Sequence, residues 1–115
     1  MKYSLVVYIV TRKHLNEAMQ QYPDAANEIK AWVAIVKEVR WHSFPEVRGT
    51  FKDADNVKGY VIFDFRKNRY RLVTVIHYAK PMNQQRTQGH VYIRSFLPRK
   101  EYDNPANWDR KFGTK

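Results

Sequence analysis

Residues 68–78 read NRYRLVTVIHY, and the fold predicted for this chain is arranged around them. Their β-branched and aromatic content is typical of a strand, and the length of the run favours a central strand over an edge strand. Side chains alternate between the two faces of a strand, so Arg69 and Arg71 are predicted to share one face with His77. The other face is largely apolar, with Tyr70, Leu72, Thr74, Ile76 and Tyr78. Because two neighbouring cations repel each other, the first face is expected to bind an anion.

The hydrophobic pattern around this strand predicts an α+β fold. Apolar residues recur at helical spacing in two successive segments, and three further segments have the composition of strands. The predicted elements are a strand over 3–10, a helix from Thr11 to Pro23, a helix from Asp24 to about Arg40, a short helix from Ser43 to about Gly49, and strands over 60–65, 69–78 and 90–97. This order predicts an antiparallel sheet with the two N-terminal helices packed on one face. A single domain over 1–115 is expected, with about 104–115 as a C-terminal tail that docks through Trp108 and Phe112.

The distribution of charge indicates an anionic partner. The chain has 115 residues and a formal net charge of +10. Residues 1–65 hold nine Lys or Arg against eight Asp or Glu, whereas residues 66–115 hold twelve against three. Basicity concentrated in one half is typical of a domain that binds phosphates or an acidic protein. The chain has no cysteine and no apolar run long enough to span a bilayer, so we expect a cytoplasmic protein without disulfides, secretory signal or membrane association.

Basic and aromatic residues of the C-terminal strands form a candidate RNA-binding surface. Arg71 and Arg94 lie on neighbouring predicted strands, and strands about 4.8 Å apart allow both guanidinium groups to reach one phosphate. Both side chains are expected to be exposed, so that their removal leaves the fold intact. Further residues with an expected role in RNA binding are Lys67, Arg69, Arg99, His77 and Tyr92, with His90 as another stacking ring. No predicted helix carries a basic recognition face, which favours single-stranded RNA over a duplex.

The same surface has side chains that suit RNA cleavage without a metal. When the 2′-hydroxyl is the nucleophile, one group removes its proton, another stabilises the charged phosphorane, and a third protonates the leaving 5′-oxygen. Arginine suits the second task, and Lys100 or Tyr102, with a pKa shifted by adjacent cations, could transfer a proton. Asp53, Asp55 and Asp64 lack the pattern of a calcium loop and are interpreted as solvated turn residues. No metal or other cofactor is predicted.

Four segments resemble, in the same order, the HigB family of toxins from type II toxin-antitoxin systems. They are 41–51 (WHSFPEVRGTF), 68–72 (NRYRL), 91–94 (VYIR) and 100–103 (KEYD). The resemblance implies a RelE-like fold and a ribosome-dependent endoribonuclease that cleaves mRNA. It also implies a helix-turn-helix antitoxin of the HigA type, which holds the toxin inactive and sets its oligomeric state. By similarity to the wider RelE group, Arg71, Arg94 and Tyr102 would be the functional set.

One position departs from the family's pattern and leaves other functions open. Relatives usually carry Thr-His where this chain has Pro98-Arg99. Arginine does not exchange a proton near neutral pH, so it cannot replace a catalytic histidine. A non-catalytic RNA-binding module on the same fold is therefore one alternative. Another is an inhibitor of a protein target, as ParE-type members of the fold are, although the basic surface favours RNA.

Overall fold

A five-stranded sheet with the first two helices on one face forms the fold in the computed structural model, which describes residues 8–10, 12–79 and 89–109. In chain order the elements are β1 (Tyr8–Val10), α1 (Arg12–Gln21), α2 (Ala26–Val36), α3 (Phe44–Thr50), β2 (Asp55–Val57), β3 (Tyr60–Phe65), β4 (Tyr70–His77), β5 (His90–Pro98) and α4 (Arg99–Tyr102). The strand order is β1-β5-β4-β3-β2. Neighbours from β2 to β5 are antiparallel, and β1 joins β5 in parallel. The predicted α+β fold is confirmed, with β4 at the centre of the sheet.

The main core lies between the first two helices and one face of the sheet. In α1, Leu15 and Ala18 are buried three residues apart, and α2 buries Ile29, Trp32, Val33 and Val36 on one stripe. This spacing is that of an amphipathic helix. Strands β3, β4 and β5 bury alternate residues against this stripe: Val61, Phe63, Phe65, Leu72, Ile76, Val91, Ile93 and Phe96. The two N-terminal helices therefore pack on one face of the sheet, as the hydrophobic pattern predicted.

The second helix is shorter at both ends than the prediction. Asp24 was predicted to cap it, but Asp24 lies in a 3-10 turn over Pro23–Ala25, and α2 has no side-chain cap. The Asp24 carboxylate instead accepts a hydrogen bond of 2.8 Å from the hydroxyl of Tyr70. Because Tyr70 is buried, its hydroxyl needs an acceptor within the protein. At the other end α2 stops at Val36, not near Arg40.

The edge strand β2 was missed, because residues 52–56 were predicted as a loop. Its three residues, Asp55–Val57, are polar or half-exposed, so the strand lacks the alternation that marks a strand with one buried face. Other predictions lie outside the described residues. They concern residues 3–7 of the first predicted strand, residues 80–88 of the predicted loop, and Phe112.

A β-bulge at Arg94 changes which side chains of β5 face the helices. Val73 is opposite Ser95, while Thr74 is opposite Ile93, so Arg94 is an extra residue on β5. Such an insertion reverses the alternation that follows it. As a result Ile93 and Phe96, three residues apart, both reach the main core. Arg94 itself points to the opposite face of the sheet, where its guanidinium contacts the chain after α4.

The turn between β3 and β4 has an unusual backbone. Arg66, Lys67 and Asn68 have φ angles of 52°, 53° and 76°, a left-handed conformation in three successive residues that are not glycine. Each such residue costs on the order of 1 kcal/mol. Two contacts hold the turn: the backbone N–H of Arg66 donates to a carboxylate oxygen of Glu28 at 2.8 Å, and that of Arg69 donates to the carbonyl of Phe65 at 3.0 Å. The turn is thus fixed against α2.

Candidate functional site

The site lies on the sheet face that the first two helices leave uncovered. A second, smaller apolar cluster forms there from Ile62 of β3, Val73 of β4 and Trp108, with Tyr102 packed against it. The short helix α4 and a 3-10 turn over Pro105–Asn107 bring Tyr102 and Trp108 onto this face. The Tyr102 and Trp108 rings stack with centroids 5.1 Å apart and planes 5° apart. The two rings form the floor beside which the predicted arginines lie.

Arg71 is held in place by polar partners on its own hairpin. Its guanidinium binds the Asp64 carboxylate, which is opposite it across β3 and β4, and donates to the Asn68 side-chain oxygen at 2.9 Å. The guanidinium carbon also lies 5.4 Å from the centre of the Tyr102 ring, within cation–π range. The side chain is only 15% exposed. The expectation of a simply exposed charge was therefore wrong, and Asp64 is a strand residue paired with Arg71 rather than a solvated turn residue.

Tyr102 keeps its proton more strongly than an ordinary tyrosine. Burial raises the pKa of the Tyr102 phenol, and this effect exceeds the opposing effect of the Arg71 charge; Asp55 and Asp103 raise the pKa further. The sequence had led us to expect that adjacent cations determine the shift. The phenol is neutral at pH 7 and can donate a hydrogen bond or a proton, whereas it is poorly suited to accept a proton.

Arg94 reaches the same group of side chains through the bulge. Its Nε donates a 3.1 Å hydrogen bond to the backbone carbonyl of Trp108. Arg94 is half-buried, so its guanidinium too is more constrained than expected for an exposed charge. The three residues of the predicted set, Arg71, Arg94 and Tyr102, thus come together on one face, with Trp108 in contact with two of them. Lys100 is exposed on α4, two residues before Tyr102.

Other predicted RNA-binding residues lie at a second place, a cleft of about 660 Å³ beside the β3–β4 turn. Its basic lining residues are Arg66, Lys67, Arg69 and Arg99, and its acidic ones are Asp24 and Glu28. A guanidinium nitrogen of Arg69 is 3.3 Å from the Asp24 carboxylate, which lies in the 3-10 turn between α1 and α2. The prediction that Arg69 shares a face with Arg71 was therefore wrong, because Arg69 belongs to the turn and the alternation begins only at Tyr70. The Tyr70 hydroxyl, and then the arginines, hold the pKa of Asp24 below its usual value.

The aromatic residues of the prediction extend the first surface along the sheet. The Tyr92 ring is 5.0 Å from the His77 ring and 5.8 Å from the His90 ring, measured between centroids. Strand pairing places Tyr92 opposite Val75 and His77 opposite His90, on the face that also carries Arg71. These rings are partly exposed or exposed, as stacking on unpaired bases requires.

A family model described as HigB toxin, the RelE-like toxic component of a toxin-antitoxin system, matches residues 25–105. The chain belongs to this family. The comparison with individual curated proteins gives no match. The matched range includes every residue of the predicted set but ends before Trp108. Within the described residues, no helix of this HigB-type chain is both long and apolar enough to cross a membrane.

Three residues that position the side chains of the site in this HigB-type toxin were not predicted from the sequence as site residues. The sequence signal for Asp64 was misread, because the predicted connection over 66–68 would put Asp64 opposite Tyr70, whereas the observed turn over 66–69 puts it opposite Arg71. Asp24 had none, since its partners Arg69 and Tyr70 are more than 40 residues away. Trp108 was predicted only as a docking side chain, and its contacts with Tyr102 and Arg94 depend on the path of the chain after α4.

Proposed function

We propose that this HigB-family chain is the toxin of a type II toxin-antitoxin system and a ribosome-dependent endoribonuclease that cleaves mRNA. The observation that carries the proposal is the placement of the Arg71 guanidinium over the Tyr102 ring, with Arg94 anchored to the adjoining Trp108 carbonyl. Two fixed cations beside a neutral phenol suit a phosphate that gains charge and a leaving oxygen that needs a proton. A cytoplasmic location and a helix-turn-helix antitoxin of the HigA type are part of the same proposal.

The proposed reaction is attack of a ribose 2′-hydroxyl on the adjacent phosphorus. The new P–O bond gives a 2′,3′-cyclic phosphate, and the P–O bond to the 5′-oxygen breaks. Arg71 and Arg94 stabilise the charge on the phosphorane oxygens, and Tyr102 gives its proton to the departing 5′-oxygen. The proton of the 2′-hydroxyl passes to water. The raised pKa of Tyr102 suits the donor role because the phenol is protonated near neutral pH.

We propose that the mRNA strand extends from this centre in two directions. Towards the N-terminal end of β5, His77 and Tyr92 offer ring surfaces on which bases stack. Towards the β3–β4 turn, Lys67, Arg69 and Arg99 bind backbone phosphates, and Arg66 lines the same cleft. The backbone N–H of Arg99 donates to the Arg69 carbonyl at 2.9 Å, so the cleft and α4 are joined. Phosphate contacts of this kind position the strand without reading its sequence.

The test is cleavage of mRNA in programmed ribosomes by the purified chain. We expect strand cuts with a 2′,3′-cyclic phosphate end in the wild type and a loss of about 100-fold or more in rate for Arg71→Gln and for Arg94→Gln. Glutamine keeps a hydrogen-bonding side chain beside Asp64 and the Trp108 carbonyl, so folding is better preserved than with alanine. Arg12→Gln, at the exposed start of α1, is the matched control and should cleave normally. Normal cleavage by folded Arg71→Gln would contradict the assignment.

A non-catalytic RNA-binding protein is the second candidate. The observation that favours it is Pro98-Arg99, where Pro98 precedes α4 and Arg99 is its first residue. The residues that take the place of Thr-His in relatives thus provide no group that exchanges a proton near pH 7. Translation arrest without any cut in the mRNA would support this candidate and reject the nuclease.

A further inference from the structure

Trp108 contacts both Tyr102 and Arg94, two of the three residues of the predicted set. Its ring stacks on Tyr102, its indole N–H donates to the Tyr102 carbonyl at 2.8 Å, and its own carbonyl accepts from Arg94. The indole is 3% exposed. It lies three positions after the end of the family match at residue 105. No role was assigned to it from the family resemblance.

The helix that carries Tyr102 cannot fix this side chain alone. With four residues, α4 is about one turn long, and one turn is far below the length at which helices are stable by themselves. The last carbonyls of a helix need donors from elsewhere. Here the Trp108 indole supplies one for Tyr102, and the Asn107 side chain supplies one for Glu101 at 2.7 Å. The chain after α4 thus determines where Tyr102 lies.

Trp108 is in turn fixed to the sheet. Its ring packs with Ile62 and Val73 and meets the Tyr60 ring edge-on, with centroids 5.3 Å apart and planes at 88°. The next residue, Asp109, is buried and lies 3.8 Å from the ammonium group of Lys58 in the β2–β3 turn. The indole is therefore a rigid link between the central strands and the two groups proposed to act on the phosphate.

We infer that Trp108 is a positioning residue of the proposed ribonuclease, which holds the Tyr102 ring against the Arg71 guanidinium and fixes Arg94 through its backbone carbonyl. It touches no reacting atom in this role. A misplacement of about 1 Å in such a site lowers the rate by about 100-fold. The loss of Trp108 should therefore slow the chemical step rather than weaken RNA binding. The inference rests on the proposed function.

The test compares Trp108 with Trp41, a second buried indole whose N–H donates to the Thr50 hydroxyl in the main core. In the ribosome assay we expect Trp108→Leu to lower kcat by about 30-fold to 100-fold with KM within about threefold, and Trp108→Phe to recover most of the rate because the stacked ring remains. Trp41→Leu and Trp41→Phe should leave kcat unchanged where they fold. A Trp108→Leu rate within about twofold of the wild type, or an equal loss for Trp41→Leu, would overturn the inference.

A second measurement separates this inference from the proposed function. Titration of Tyr102 followed by NMR, assigned by its absence in Tyr102→Phe, reports its surroundings without any substrate. Burial holds the pKa of Tyr102 above its usual value, so removal of the covering indole in Trp108→Leu should lower it. An unchanged pKa would refute the positioning role even if the wild type cleaves mRNA.

If the wild type does not cleave, the proposed function fails, and the titration still decides whether Trp108 sets the surroundings of Tyr102. If Trp108→Leu does not fold, Trp108→Met takes its place, and a wild-type rate and Tyr102 pKa in that variant would count against the inference.

Discussion

Tyr102 experiences two opposing effects on its phenol, and their balance decides which proton-transfer step it can serve. Burial disfavours the phenolate, while Arg71 at cation–π distance favours it, and burial has the larger effect. A residue with a raised pKa remains protonated from about pH 6 to pH 9, below the ordinary tyrosine value of about 10. Tyr102 is therefore available as a proton donor over the whole of this range.

Tyr102→Phe should lower the cleavage rate by about 100-fold, because the ring and its stacking remain while the donated proton is lost. The ratio of wild-type to variant rate should stay constant from about pH 6 to pH 9, since the fraction of neutral phenol does not change there. Single-turnover cleavage in programmed ribosomes measures this ratio at each pH. A ratio that rises about tenfold per pH unit would mean that the phenolate acts as a base.

At the level of single residues, the sequence predicted which side chains matter better than how they are held. Arg71, Arg94 and Tyr102 were selected from strand pattern and family resemblance, and they do lie on one face. Their exposure was misjudged because the alternation of a strand says nothing about what covers its second face. Here residues after α4 cover the second face of the sheet. Among them, Trp108 adds an apolar surface that does not belong to any periodic hydrophobic pattern in the sequence.

At the level of elements, the bounds of β3 were predicted correctly, while the bulge of β5 was not. Strong β-branched and aromatic alternation explains the success for Tyr60–Phe65. In β5 the sequence did indicate a bulge, but this was not recognised. Ile93 and Phe96 are both large and apolar, yet they are three positions apart, so a regular strand would point them to opposite faces. Two such residues cannot both reach one core face without an inserted residue between them, which is Arg94.

The β3–β4 turn allows stability and RNA affinity to be changed in opposite directions. Lys67 has a φ of 53°, where the Cβ atom is unfavourable, and its side chain lines the basic cleft. Lys67→Gly should raise the free energy of unfolding by about 1 kcal/mol and weaken RNA binding. Urea unfolding and RNA titration measure the two effects. Lys67→Ala loses the same charge but keeps the Cβ, so it should weaken binding without the gain in stability; an equal gain for both would contradict the backbone explanation.

At the level of the whole molecule, counting charges along the chain predicted a basic surface but not its division in two. Among the residues that the structure describes, the arginines after residue 65 are divided between the open sheet face, with Arg71 and Arg94, and the cleft beside the turn, with Arg66, Arg69 and Arg99. Asp24 and Glu28, from the balanced N-terminal half, face the cleft and orient its turn. The division of the basic surface into two parts depends on which helix packs near which turn. That packing cannot be predicted from the local sequence.

The cleft should contribute to RNA affinity because its cations release counterions from the RNA. The number of phosphate contacts can be measured from the salt dependence of binding. For single strands, the slope of log Kobs against log salt changes by about 0.7 for each phosphate contact. Arg99→Gln should reduce the magnitude of the slope by about that amount, since Arg99 is exposed and lines the cleft. Lys30→Gln, which removes an exposed cation of α2 outside the lining of the cleft, should leave the slope unchanged. Binding of an uncleavable 2′-deoxy oligonucleotide at several salt concentrations provides both slopes. Equal changes for the two variants would mean that overall charge, rather than the cleft, attracts the strand.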